Sequence, residues 1–305
     1  MNNNLNFIAA KNKKMEQTPM IRKASGDAQP FSAKKFKESL QRSGASRSVI
    51  DQIAGEIEKW LLEETSRLAN EKRSGEAIPS RAIYKKAFAM LRRKTVSNAA
   101  RYKLKNAMME MGPTGYPFEH FIGEIYKLLG YQTEVSQILD GACVTHEVDV
   151  VATKGKHQRF IECKYYSSTG KNANVQVPLY IRARVNDIIA KRESLSQYNG
   201  YTFSGGIVTN TRFTADAEAY GLCSGLHLLS WDFPKGNSIK DIIDRERIFP
   251  VTSITQLTIA QKKVLMDSGI VMCRQLLDNK KAIDSLGLTA KKRQKLMDEI
   301  RDLCG

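Results

Sequence analysis

Residues 146–166, HEVDVVATKGKHQRFIECKYY, constrain the fold more than any other stretch of the chain. Two runs rich in β-branched and apolar residues flank Lys154-Gly155-Lys156, a turn sequence, so the stretch predicts two strands joined by a tight hairpin. Side chains alternate along a strand, which places Glu162 and Lys164 on one face and Cys163 on the other. The hairpin turn brings Asp149, near the end of the first strand, beside them. Two carboxylates and one ammonium thus converge on one spot.

The flanking pattern places this hairpin in a larger sheet. Phe118, Phe121, Ile122, Ile125, Tyr126 and Leu129 repeat with helical spacing, and Gly130 supplies a stop. Strands are predicted over about 131–138, 144–153 and 158–166, with Asp140-Gly141 as the first turn. A helix over about 178–196, a strand at Gly206 to Thr209, a helix from Thr214 and a strand from Leu226 to Trp231 follow. The order α-β-β-β-α-β-α-β predicts a mixed sheet flanked by helices.

Phosphodiester hydrolysis calls for a set such as Asp149, Glu162 and Lys164. Hard oxygen ligands hold Mg²⁺ through one or two carboxylates while water completes the shell. The metal activates a water and offsets charge on the phosphate oxygens, and a neighbouring lysine orients the nucleophile. Under this reading Asp149 and Glu162 ligate Mg²⁺ and Lys164 assists attack. Asp149 followed by Glu162-Cys163-Lys164 resembles the PD-(D/E)xK nuclease core, and the surroundings are similar to Mrr-type restriction endonucleases. The resemblance covers roughly residues 112–235 and runs on to Gly206-Ile207-Val208-Thr209-Asn210 and to the helix start at Phe213-Thr214-Ala215-Asp216-Ala217. It implies a further acidic residue on the preceding helix, Glu119, with Glu124 as the lesser alternative. His146-Glu147-Val148 departs from the small residues of many relatives, and Glu147 shares the face of Asp149, which leaves both open as ligands. Gln176 and Tyr180 resemble the QxxxY element that some nucleases of this fold hold near DNA. Cys143 and His146 form a C-x-x-H without the second pair that a zinc site needs.

Two modules flank this region. Residues 1–18 are polar and without a period, which predicts a disordered arm. A hairpin follows around Ser25-Gly26-Asp27, then a helix capped by Ser32, an amphipathic helix after Ser46, one from Ser80 and one over about 95–110. Residues 19–110 resemble the ATP-cone of ribonucleotide reductases through Ile21-Arg22-Lys23-Ala24-Ser25-Gly26, Pro30-Phe31-Ser32, Lys34-Lys35-Phe36 and Ile78-Pro79-Ser80 to Tyr84. The resemblance implies an ATP or dATP site with Lys23, Lys35, Ser80 and Tyr84. Lys-Ala-Ser-Gly stands where that family has Lys-Arg-Asp-Gly, one cation fewer. Residues 250–305 resemble paired helix-hairpin-helix motifs, with Gly269 and Gly287 at the hairpins. That implies close approach to DNA phosphates, aided by Lys291 and Lys292.

Charge agrees with polyanion partners. The chain of 305 residues carries a net charge of +16, of which residues 1–111 hold +12, residues 112–249 hold none and residues 250–305 hold +4. The five cysteines are scattered and odd in number, which favours a reducing compartment. No signal peptide and no apolar run of membrane length is evident, so a cytoplasmic protein is expected. The expected fold class is α/β, a restriction endonuclease-like mixed sheet flanked by helices in residues 112–249, with an N-terminal mainly helical ATP-cone and a small all-α C-terminal domain. The expected function is a Mg²⁺-dependent DNA endonuclease adjusted by ATP or dATP, acting as a homo-oligomer (dimer or tetramer), and a host-defence role fits. A noncatalytic nucleotide-sensing DNA-binding regulator and a branched-DNA resolvase are the alternatives.

Overall fold

A computed structural model describes residues 18–23, 25–71, 73, 75–168 and 170–305. All but the last residue of the expected disordered arm lies outside them. The chain divides between Thr95 and Val96 into two units.

In the first unit, β1 (Met20–Arg22) and β2 (Ala28–Pro30) form the expected antiparallel hairpin. Gly26 at its turn has φ +96°, a conformation open to glycine. Three helices follow: α1 (Ala33–Arg42), α2 (Arg47–Asn70) and α3 (Ser80–Lys94). Ser32 caps α1 by accepting the Lys35 N–H at 3.3 Å. Phe36 and Leu40 of α1 and Ile53, Ile57 and Leu61 of α2 are buried. A third strand, β3 (Ile78–Pro79), lies parallel to β1 and opens directly into α3. Two residues are too short a run for periodicity to reveal, so sequence alone does not separate β3 from the helix start.

The second unit opens with two helices, α4 (Val96–Tyr102) and α5 (Leu104–Met109), where the sequence predicts one. Their Ala100, Leu104 and Met108 share a core with Phe118 and Leu303. They therefore belong to this unit, and the division falls about fifteen residues before the boundary that Gly112-Pro113 suggests. Helix α6 (Tyr116–Leu128) leads into β4 (Gln132–Asp140), β5 (Thr145–Lys154) and β6 (His157–Lys164). Then come α7 (Gln176–Glu193), β7 (Thr202–Thr209), α8 (Ala215–Cys223) and β8 (His227–Leu229). The sheet order is β4-β5-β6-β7-β8. Antiparallel pairing joins β4, β5 and β6, and parallel pairing joins β6, β7 and β8. The expected order and mixed sheet are both present.

Alternation along β5 and β6 separates two cores. Val150, Ala152 and Ile161 face α6, whereas Val151 and Phe160 pack with Val177, Ile181, Val185 and Ile188 of α7. The α6 side also takes in α9 (Ile239–Glu246), α10 (Ile259–Asp267), α11 (Lys280–Asp284) and α12 (Ala290–Cys304). The C-terminal segment is helical as expected, but its Leu265, Leu296, Ile300 and Leu303 are buried in the same core as α6.

Candidate active site

The paired register of β5 and β6 ends at Val150 opposite Ile161, one step before Asp149 would face Glu162. Beyond that step, Asp149 Oδ2 accepts the main-chain N–H of Cys163 at 2.6 Å. The side chain thus replaces a ladder bond and holds the two strands together where their pairing stops. Glu162 and Lys164 share a face, as alternation requires, and Lys164 Nζ lies 2.5 Å from Glu162 Oε1.

Glu162 is buried, with a side chain 8% exposed, and all its partners are donors. Tyr180 on α7 donates its hydroxyl to Oε1 at 3.1 Å, and Arg184, one turn further along, donates Nη1 to Oε2 at 2.6 Å. Lys164 and Arg184 each lie 5.4 Å from the centroid of the Tyr180 ring, a doubly cationic stack. Arg184 Nη1 also donates to the Glu147 carbonyl at 3.1 Å. Tyr180 is among the residues expected from the sequence, and Arg184 is not. Gln176, Tyr180 and Arg184 follow one another at intervals of four, one helical stripe, and that spacing was the available signal.

Electrostatics follow from burial and from three neighbouring carboxylates. Burial and the Glu162 charge push the Asp149 carboxyl up to about 7, against the pull of the Cys163 N–H. Burial raises Glu119 too; the Ser136 hydroxyl pulls it back, and Glu147 and Glu162 push further upward. Burial alone would lower Lys164, but its hydrogen bonds with Glu162 and Tyr180 win and hold the ammonium above its ordinary value.

Glu119 stands in the first turn of α6, as expected, and reaches the sheet through β4. Ser136 donates to Glu119 Oε2 at 3.4 Å. Ser136 has φ +54°, unusual for a residue with a side chain, and it interrupts the β4–β5 ladder at the position that would face Asp149. Glu124 instead pairs with Lys127 at 2.6 Å on the exposed side of the helix. Asp187, also on α7, accepts the N–H groups of Cys143 at 2.9 Å and Val144 at 3.3 Å and meets His146 Nε2 at 2.8 Å. The Cys143/His146 pair therefore clamps the β4–β5 turn to α7. Gln176 begins α7, with its N–H bonded to Asn174 Oδ1 at 3.1 Å.

Among the described residues, no three His, Cys, Asp or Glu side chains form a metal cage. Asp149 and Glu162, the ligands expected from the sequence, are oxygen donors of the kind that would suit a hard cation that keeps most of its water. Burial and, after it, the Glu162 charge disfavour the ionised form of Asp149, and such a cation would favour it.

Elsewhere the expected residues are more dispersed. Arg22 pairs with Pro79; the exposed Lys23 follows the one, and Ser80, the first residue of α3, follows the other. Lys35 is exposed in the first turn of α1, and Tyr84 stacks on Phe88 at 6.2 Å. Gly269 and Gly287 have φ +78° and +62° and end α10 and α11. Gly287 leads into α12, whose first turn exposes Lys291 and Lys292, whereas the stretch after Gly269 forms only a 3-10 turn, Cys273–Leu276. Among the described residues, no helix is long and apolar enough to cross a membrane.

Residues 111–232 match the family model Mrr_cat, described as restriction endonuclease, and residues 249–304 match the model AF1548-like, C-terminal. The mixed sheet with its flanking helices is thus a restriction endonuclease-like fold. An uncharacterised protein of Archaeoglobus fulgidus is 28% identical over 177 residues, which are 58% of this chain and 95% of that protein. The crystal structure titled protein of unknown function AF1548 aligns with TM-score 0.51 and 26% identity, over 63% of this chain and 99% of that one. The MspJI restriction endonuclease in complex with a 27-mer oligonucleotide aligns with TM-score 0.32 and 13% identity, over 57% of this chain and 36% of that one.

Proposed function

We propose that the chain is a metal-dependent endonuclease that hydrolyses phosphodiester bonds of DNA. The observation that carries the reading is the pair Asp149 and Glu162 with Lys164 held against it, inside the segment that matches the restriction endonuclease model. Asp149 and Glu162 would hold Mg²⁺. When bound, that ion would polarise the phosphate and make a coordinated water a better nucleophile. Lys164 is held as an ammonium by Glu162 and Tyr180, so it acts as a cation and hydrogen-bond donor toward the phosphate rather than as a base. Glu119, raised by burial, stands ready to hold a proton or a water at the edge of the site.

Plasmid cleavage with and without Mg²⁺, for wild type, Asp149→Ala and Lys164→Ala, is the test. Cleavage should require the metal and vanish in both variants; metal-dependent cutting that survives both overturns the reading. Comparison of a linear duplex with a four-way junction separates a general endonuclease from a resolvase.

The proposal extends to the flanks on sequence grounds. The first unit would bind ATP or dATP near Lys23, Lys35, Ser80 and Tyr84 and adjust a homo-oligomer, in a cytoplasmic and defensive setting. Calorimetry with each nucleotide, beside a sizing measurement, tests this. Absence of both binding and size change removes the regulatory part alone.

A further inference from the structure

Both oxygens of Glu162 are occupied by cationic groups. Lys164 stands at Oε1 and Arg184 at Oε2, at 2.5 and 2.6 Å. A buried carboxylate left without a partner is costly, and the two cations compensate it. Oε1 already meets both Lys164 and Tyr180, and Oε2 meets Arg184 alone, so an incoming divalent cation competes with one of these partners and most openly with Arg184 at Oε2. Lys164 is also tied to Tyr180 and sits on the same strand as Glu162, two residues away. Arg184 reaches in from a different element, α7, through a side chain still 28% exposed.

Arg184 has two anchors besides Glu162. Its Nη1 also bonds the Glu147 carbonyl, and its guanidinium lies against the Tyr180 ring. Among the described residues its bonds all use Nη1. Of the five N–H groups of a guanidinium, those on Nε and Nη2 are therefore unused. A planar fork with free donors suits a phosphate better than an ammonium does.

We propose that Arg184 is a placeholder cation for Glu162: it neutralises the carboxylate until a divalent cation arrives, and on displacement it becomes a contact for a DNA phosphate. This rests on the nuclease reading above. Metal loading and substrate capture are then coupled through one residue.

The test is Mn²⁺ binding by calorimetry to the full-length, metal-free protein, for wild type, Arg184→Met, Arg184→Lys and Asp149→Ala. Binding of a fluorescent duplex in Ca²⁺ is measured beside it. Removal of a charge-assisted bond that competes for Glu162 should tighten Mn²⁺ binding in Arg184→Met by about tenfold. The same variant should bind duplex about tenfold more weakly. Arg184→Lys preserves the charge, which guards against misfolding, and should keep near-wild-type Mn²⁺ affinity while it loses duplex affinity. Arg184→Met that binds Mn²⁺ no more tightly than wild type, while Asp149→Ala abolishes binding, overturns the placeholder alone. Unchanged duplex affinity in Arg184→Met overturns the transfer to phosphate. Equal Mn²⁺ binding by wild type and Asp149→Ala overturns the metal site, and the placeholder with it.

Discussion

Asp149 Oδ2 accepts the N–H of Cys163, the residue between Glu162 and Lys164, at 2.6 Å. One carboxylate oxygen is thereby spent on holding β5 to β6, while burial and the nearby Glu162 charge act on the whole carboxyl. Asp149 is at once a strand tie and the most strongly raised acid of the site, near 7.

That double role sets a pH dependence in metal-free protein. A carboxyl whose folded pKa lies near 7 contributes its full stability below about pH 4 and loses it as pH rises through 7. The loss can reach roughly 4 kcal/mol at about 1.4 kcal/mol per unit. Asn at this position still accepts the Cys163 N–H but cannot ionise. Urea midpoints in a chelator should therefore fall from pH 5 to pH 8 in wild type and stay closer to level in Asp149→Asn, with the variant the more stable at pH 8. Parallel curves for the two proteins contradict this.

Lys164→Met should lower single-turnover cleavage by at least about 100-fold, the scale of a lost transition-state donor. Duplex affinity in Ca²⁺ should change far less. A loss confined to affinity would place Lys164 in binding rather than in the chemical step.

Gly112 has no room for a side chain. A Cβ there would lie 2.7 Å from the Tyr165 ring, whose hydroxyl donates to the Met109 carbonyl at 2.6 Å. Gly112→Ala should destabilise the protein by about 1–3 kcal/mol through overpacking. Because Tyr165 follows Lys164, cleavage should fall as well, while Tyr165→Leu in the Gly112→Ala background should recover part of the stability. Thermal melts of both variants check it.

Lys262 is buried, and its Nζ donates to the Thr252 carbonyl at 2.7 Å. Burial, with the Lys103 charge, lowers its pKa to about 8. The unfolded chain therefore holds a proton that the folded one releases between pH 8 and about 10.5, so this group's contribution rises with pH across that window. Below pH 8 the buried charge costs up to roughly 3 kcal/mol. Lys103 Nζ still reaches the Thr252 carbonyl, at 3.2 Å, when Lys262 is replaced. Lys262→Met should be the more stable protein at pH 7, with an advantage that shrinks by pH 10; denaturant titration at both values decides.

If α12 meets DNA, its exposed first turn should govern the salt dependence. Lys291→Glu with Lys292→Glu should weaken duplex binding and shrink the slope of log affinity against log salt by about 2. Substitution is the right probe, because Leu296, Ile300 and Leu303 of the same helix belong to the shared core and deletion would unfold it. An unchanged slope would place the DNA contact elsewhere.

Much of the second unit was legible locally. The hairpin around Lys154-Gly155-Lys156, the face shared by Glu162 and Lys164, and the helix that presents Glu119 all follow from turn chemistry and from periods of two and 3.6 residues. The Thr214 cap of α8 is an equally local signal. Arg184 was not visible in the same way, since its partner lies 22 residues away on another element. Ser136 was hidden as well: nothing in an alternating strand announces a left-handed residue.

The sequence by itself determined the strands, their faces and the chemical identity of Asp149, Glu162 and Lys164, because backbone periodicity and turn geometry act over a few residues. Tertiary structure decided which unit claims α4, α5 and the C-terminal helices, and which cation sits on each oxygen of Glu162. An apolar stripe states only that it will be buried, and a charge only that it needs a partner. What buries the one and pairs the other is fixed by contacts between segments far apart in the chain.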